Sequence, residues 1–197
     1  MPNLKEYKMF INGQWIDSES KKTFETLNPE NNEPWAKVPE ASAKDTNDAV
    51  EAAQKAFDGE WPKLMPRDRA NYLRAIANQL RENAEMLGKI ETIDTGKLFR
   101  ETKTQANYIA EYYDYFAGLA DKVEGTVLPI DKPNMQAITT REPIGVIAAI
   151  IPWNSQMLLT AVKLAPALAM GNTVVIKSSE LAPATMFEFA KLIEKTG

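Results

Sequence analysis

Residues 141–154 read Arg-Glu-Pro-Ile-Gly-Val-Ile-Ala-Ala-Ile-Ile-Pro-Trp-Asn, and residues 171–180 read Gly-Asn-Thr-Val-Val-Ile-Lys-Ser-Ser-Glu, with a mostly apolar segment between them. Ile144 to Ile151 is apolar without alternation, the pattern of a strand buried on both faces of a parallel sheet. Pro152 ends it, because proline has no amide to give to a ladder. From Gln156 to Ala169 the residues Leu158, Leu159, Val162, Ala165 and Ala169 recur at helical spacing, and Gly171 with Asn172 supplies a stop. Pro166 lies inside this run; its missing N–H and its ring clash predict two helical pieces meeting near Ala165 and Pro166. Thr173 to Lys177 is short and β-branched, so the whole reads as strand, crossover helix and strand. Such a unit sets its strands parallel with their carboxyl ends on one side. Asn154 after the first strand and Lys177, Ser178, Ser179 and Glu180 after the second then face one crevice, the edge where open α/β sheets bind ligands.

Working outward, the amino-terminal part is extended. Met9-Phe10-Ile11 and Gln14-Trp15-Ile16 flank Asn12-Gly13, a dipeptide suited to the positive φ angles of a two-residue hairpin turn. Thr23 to Leu27 and Trp35 to Val38 continue the pattern around a turn of Asn, Glu and Pro, and read as scaffold. Ser42 and Asp45 have capping-box spacing ahead of a helix that carries Ala49, Val50, Ala53, Ala56 and Phe57 on one face. Pro66 opens a second helix with Leu73, Ile76, Ala77 and Leu80 at i, i+3, i+4 and i+7, its charges expected to form a solvated face. Asp94-Thr95-Gly96-Lys97 then reads as a helix end with a glycine cap and a lysine complementing the dipole.

A further helix puts Ala106, Ile109, Ala110, Tyr113 and Ala117 on one stripe, with Tyr108, Tyr112 and Tyr115 around it. Gly125 to Ile130 and Met135 to Thr140 flank Asp131-Lys132-Pro133-Asn134, which predicts a projecting hairpin. Met186, Phe189, Ala190 and Ile193 form one face of a last helix, with Lys191 and Lys195 near its carboxyl end and Gly197 as its cap.

Composition narrows the function classes. The 197 residues are 44% hydrophobic and 25% charged, enough apolar content for a real core. A net charge of -4 without a basic tract argues against nucleic acid or an anionic membrane as partner. Apolar stretches stop short of a membrane span and no leader is visible, which favours the cytoplasm. Cysteine and histidine are both absent, so the segment offers no thiolate nucleophile, no histidine base and no Cys/His metal site.

Several spaced motifs resemble the NAD(P)-dependent aldehyde dehydrogenases: Glu142-Pro143-Ile144-Gly145-Val146, Pro152-Trp153-Asn154, Lys163-Leu164-Ala165-Pro166-Ala167-Leu168-Ala169, Gly171-Asn172 and Lys177 to Glu180. The region of Glu91, Thr95, Gly96 and Lys97 also resembles a family segment and is read as structural. The resemblance covers essentially the whole chain but only the first part of a usual family member. It implies part of a Rossmann-like α/β fold with a parallel-sheet cofactor domain, amino-terminal helices and a projecting oligomerisation hairpin. Residues 1–124 and 143–197 would form an incomplete cofactor-binding domain and 125–142 the hairpin, with the catalytic domain outside the chain.

The same resemblance implies oxidation of an aldehyde to an acid with NAD through a cysteine thioester, in a homodimer or homotetramer, the nucleophile and general base lying beyond Gly197. The 197 residues alone are therefore expected to be inactive. It implies that the Asn154 amide donates to the oxyanion and that Lys177 and Glu180 hold the adenosine ribose, in a cofactor site with Ile150, Ile151, Pro152, Trp153, Asn154 and Ser179. Tyr108, Ser155, Leu158 and Val162 become walls of the substrate tunnel. A non-catalytic nucleotide-binding or interaction module and a CoA-acylating relative remain alternatives.

Each site residue has a plainer reading beside the functional one. Asn154 could be a turn residue, but a neutral amide donor is also what a developing oxyanion needs. Lys177 could extend into solvent. Lys163 either relays a proton or merely reaches a carbonyl. Glu180 accepts ribose hydroxyls and repels a 2′-phosphate, favouring NAD over NADP, or it caps the helix that follows. Ser155-Gln156 stands where many relatives have an aromatic residue and proline, which suggests a roomier or more polar tunnel mouth. Ser178 likewise stands where proline is frequent.

Overall fold

A computed structural model describes residues 4–197. In chain order the elements are β1 (Lys5–Glu6), β2 (Met9–Ile11), β3 (Gln14–Ile16), β4 (Thr23–Asn28), β5 (Glu33–Pro39), α1 (Ala43–Asp58), α2 (Pro66–Glu82), α3 (Ala84–Thr95) and α4 (Phe99–Leu119). There follow β6 (Val127–Leu128), β7 (Ala137–Ile138), β8 (Val146–Ile150), α5 (Gln156–Ala169), β9 (Thr173–Lys177) and α6 (Ala184–Glu194). This is the expected α/β order. Asn12 and Gly13 have φ of 53° and 71°, so the β2–β3 hairpin closes through the left-handed pair that Asn-Gly favours. The two extended runs form β4 and β5, which pair antiparallel. β1 adds parallel to β5, a pairing that a two-residue strand carries no pattern to reveal.

Most of the core is helical. Leu73 and Leu80 of α2, Leu87 of α3, Ile109 and Tyr113 of α4, Met157 and Leu164 of α5 and Phe189 of α6 pack into one buried cluster. Each of the Leu, Ile, Met and Phe side chains among them contributes roughly 1.5–3 kcal/mol by leaving water. The stripes read on α2 and α4 are the buried ones. The α1 capping box also forms: the Asp45 amide donates to Ser42 Oγ at 3.2 Å and the Ser42 amide to the Asp45 carboxylate at 2.7 Å. Asp45 accepts as well from the Ser18 hydroxyl at 2.9 Å, so one carboxylate fixes both a helix start and a remote loop.

Tertiary packing corrects several local expectations. α5 runs continuously from Gln156 to Ala169 with Pro166 inside it, so the two-piece reading fails. Proline removes one ladder bond, but Leu164, Ala165 and Ala169 on either side are buried and hold the helix through the break. The buried face of α5 is Met157, Thr160, Ala161, Leu164, Ala165 and Ala169, rotated from the predicted stripe, and Val162 is exposed. The apolar run 144–151 is not covered on both faces: Ile144, ahead of β8, and Ile150, at its end, are 86% and 70% exposed. Arg69 leaves the solvated face of α2 and donates to the Ala169 carbonyl at 3.1 Å and the Leu64 carbonyl at 2.5 Å, anchoring the end of α5 to the start of α2. Gly96, with φ 76°, caps α3 as read, but Lys97 turns away to Ser155. α6 ends at Glu194 with Lys195 as its cap, not Gly197.

The β6–β7 hairpin forms and stands out from the body, with Val127, Leu128 and Ile138 exposed. Among the described residues no helix is long and apolar enough to cross a membrane.

Candidate functional site at the carboxyl edge of the parallel pair

β8 and β9 are parallel, in register from Val146 opposite Thr173 to Ile150 opposite Lys177. One more bond, Ile151 N–H to the Lys177 carbonyl at 3.0 Å, closes the ladder at its carboxyl end. The crossover is fastened at its other end by Asn172, whose Oδ1 accepts the amides of Ile144 at 2.8 Å and Gly145 at 3.1 Å. A residue read only as part of a helix stop therefore also holds the start of β8.

Beyond Ile151 the chain turns through Pro152 into a single 3-10 turn, Trp153–Ser155, and enters α5. Ile151 is buried, while Ile150, Pro152, Trp153 and Asn154 face outward at the edge. Among the described residues the Asn154 side chain makes no hydrogen bond. On the other strand Lys177 Nζ donates to the Glu180 carboxylate at 2.9 Å, and this contact holds that carboxyl below its usual range. Glu180 does not cap α6, whose N-terminus at Pro183 has no side-chain cap. Ser179 is buried and accepts the Leu181 amide at 3.2 Å, shaping the loop. The structure thus brings Ile150 to Asn154 and Lys177 to Glu180 to one edge.

The other site residues divide. Lys163 Nζ lies 3.4 Å from the Leu159 carbonyl one turn back on α5. Tyr108 and Leu158 line one open groove between α4 and α5, together with Arg100, Glu101, Thr104 and Gln105. Val162 is exposed one turn along from Leu158. Ser155 is buried and receives a hydrogen bond from Lys97 Nζ, so its hydroxyl does not open the groove.

Two residues read only as structural, Glu91 and Asp94, prove to be buried acids on α3. Glu91 is fully buried with neither carboxylate oxygen bonded; burial pushes it up to about 7, with the Lys97 ammonium opposing. Asp94, also buried, is raised to about 6 by burial, against hydrogen bonds from the Thr185 amide and the Thr26 hydroxyl, each at 3.2 Å. The signal for both was an acidic residue within an apolar helical stripe. Among the described residues no group of His, Cys, Asp and Glu is arranged to hold a metal ion.

The family model described as aldehyde dehydrogenase family matches residues 15–197. A (Z)-2-((N-methylformamido)methylene)-5-hydroxybutyrolactone dehydrogenase of Acinetobacter baylyi is 50% identical over 195 residues, covering 98% of this chain and 40% of that protein. A betaine aldehyde dehydrogenase of Bacillus subtilis is 41% identical over 190 residues, covering 96% of this chain and 39% of its own. The crystal structure of a Staphylococcus aureus betaine aldehyde dehydrogenase in complex with NAD+ superposes with a TM-score of 0.93 at 38% identity, covering 96% of this chain and 38% of that one. The chain spans about two-fifths of the length of these relatives.

Proposed function

The chain belongs to the aldehyde dehydrogenase family, and we propose that it is the amino-terminal segment of a cytoplasmic, NAD-linked enzyme oxidising an aldehyde to a carboxylic acid. The observation that carries this reading is the shared edge: the β8–β9 register sets Asn154 and the Lys177–Glu180 pair at the same carboxyl ends. A ribose needs donors and acceptors for its hydroxyls, and an exposed ammonium beside an exposed carboxylate offers both, so the residues present fit such a group. NAD, when bound, accepts the hydride. Exposed Trp153 and Ile150 give the same edge an apolar surface for the less polar parts of a dinucleotide.

Asn154 supplies the neutral donor. Its amide, presented on a short turn between strand and helix, can be aimed where the aldehyde oxygen gains charge without itself bringing a charge that must be desolvated. Tyr108, Leu158 and Val162 flank the approach of the substrate, and Lys163 is the chain's candidate for carrying a proton along α5. These 197 residues contain no cysteine, so they supply no thiol to attack the aldehyde. The exposed Val127, Leu128 and Ile138 of the β6–β7 hairpin support assembly into a homo-oligomer.

Full-length protein containing this segment should produce NADH from NAD and aldehyde, and the 197-residue chain alone should not. A purified 197-residue chain of verified mass that turned over aldehyde at the full-length rate would sink the reading.

A further inference from the structure

α5 begins with a polar residue where its buried face is otherwise apolar. Gln156 is 0% exposed, beside Met157, Thr160, Ala161 and Leu164. Burying an amide is unfavourable unless its polar atoms are bonded, and both ends of this one are. Its Nε2 donates to the Ala182 carbonyl, and its Oε1 accepts from the Ser178 hydroxyl at 2.9 Å. The orientation is unambiguous, because the reversed amide would set its oxygen against the oxygen of Ala182. Both partners lie in the segment between β9 and α6, on either side of Ser179 and Glu180.

Ser179 and Ala182 of that segment are buried, and its far end is held where the Thr185 amide donates to Asp94 at 3.2 Å, but Glu180 and Leu181 between them are exposed. β9 ends at Lys177, and α6 starts at Ala184. Among the described residues Ser179 Oγ accepts only the nearby Leu181 amide, and the Lys177–Glu180 pair is exposed and so weakly restraining. The α5 end of the bridge, by contrast, is fixed by helix packing and directly follows the turn that presents Asn154.

From these contacts we propose that Gln156 is a positioning residue: its amide latches the loop bearing Lys177 and Glu180 to the first turn of α5, fixing the dinucleotide-binding loop relative to Asn154. This rests on the reading above that the edge binds NAD. The rigid partner is α5 and the adjustable partner is the loop, so loss of the latch weakens cofactor binding more than it slows the chemical step.

The experiment uses full-length protein and measures NAD dissociation by titration, kcat and KM for both substrates, and thermal midpoint. Gln156→Met keeps length and burial but removes both bonds; Ser178→Ala removes one at a less buried site. Gln156→Met should raise the Kd and KM for NAD about tenfold, the size of one to two lost buried hydrogen bonds, with kcat kept within about threefold. Ser178→Ala should raise them about threefold, and adding it to Gln156→Met should cost nothing further. Leu80→Ala, in the core cluster away from this loop, serves as the control that lowers the thermal midpoint without changing NAD affinity. Unchanged NAD affinity in Gln156→Met, or in Ser178→Ala should the first variant not fold, overturns the latch. So would a double variant whose losses simply add. Failure of the unmodified full-length protein to bind NAD instead overturns the functional reading beneath it.

Discussion

The Ile151 amide donates to the Lys177 carbonyl at 3.0 Å, one step past the last strand pair of β8 and β9. That bond ties the chain leading to Asn154 directly to the chain leading to Glu180. It makes Asn154 and Glu180 parts of one sheet edge, although they are distant in sequence.

Asn154→Ala in the full-length enzyme should lower kcat by about 10²–10³ and leave NAD affinity nearly unchanged, because the oxyanion exists only along the reaction path. Asn154→Asp should be at least as damaging, since a carboxylate repels the developing charge. Steady-state kinetics beside direct NAD titration separates the two effects; weakened NAD binding with intact turnover would reassign Asn154 to the cofactor.

Glu180 is exposed and paired to Lys177, so its charge is available to a ligand at the edge. NAD should be preferred to NADP, and Glu180→Gln should raise the relative kcat/KM for NADP, because the repulsion of a 2′-phosphate goes while the side-chain shape stays. A ratio that does not move removes Glu180 from cofactor choice.

Glu91 gives stability a pH dependence with a definite sign. Its folded value of about 7 lies above the ordinary 4.5, so the native state holds the proton more tightly than the unfolded chain does. Its contribution is full below about pH 4.5 and is lost as pH rises through about 7, an effect on the order of 3 kcal/mol. Asp94, raised to about 6, adds in the same direction. Glu91→Gln should stabilise the protein at about pH 8 and flatten the loss above about pH 5, as urea midpoints across pH will report. Parallel curves for variant and parent would contradict this.

α3 and α4 meet without room for a side chain at Gly88. A methyl group there would lie 2.8 Å from the Lys103 backbone nitrogen, and the Thr102 hydroxyl donates to the Gly88 carbonyl at 2.8 Å across the same contact. Gly88→Ala should therefore destabilise the protein by about 1–3 kcal/mol, despite alanine's better helix propensity, because backbone cannot retreat as a flexible side chain can. A raised thermal midpoint would show that the helices separate at little cost.

Much of this protein is written in local pattern. The Asn-Gly hairpin, the Ser42–Asp45 capping box, the buried stripes of α2 and α4 and the strand–helix–strand order around Asn154 follow from turn chemistry, capping and periodicity, which act over a few residues. The βαβ geometry then puts Asn154 and Lys177 on one edge without further information. What only the tertiary structure decided is where polar groups are satisfied and which faces are covered. Pro166 remains helical because its neighbours are buried, and Arg69 leaves solvent to reach the carbonyls of Leu64 and Ala169. Glu91 becomes a buried acid, and Gln156 bridges to Ser178. These depend on burial and partners many residues away, and sequence spacing carries no record of either.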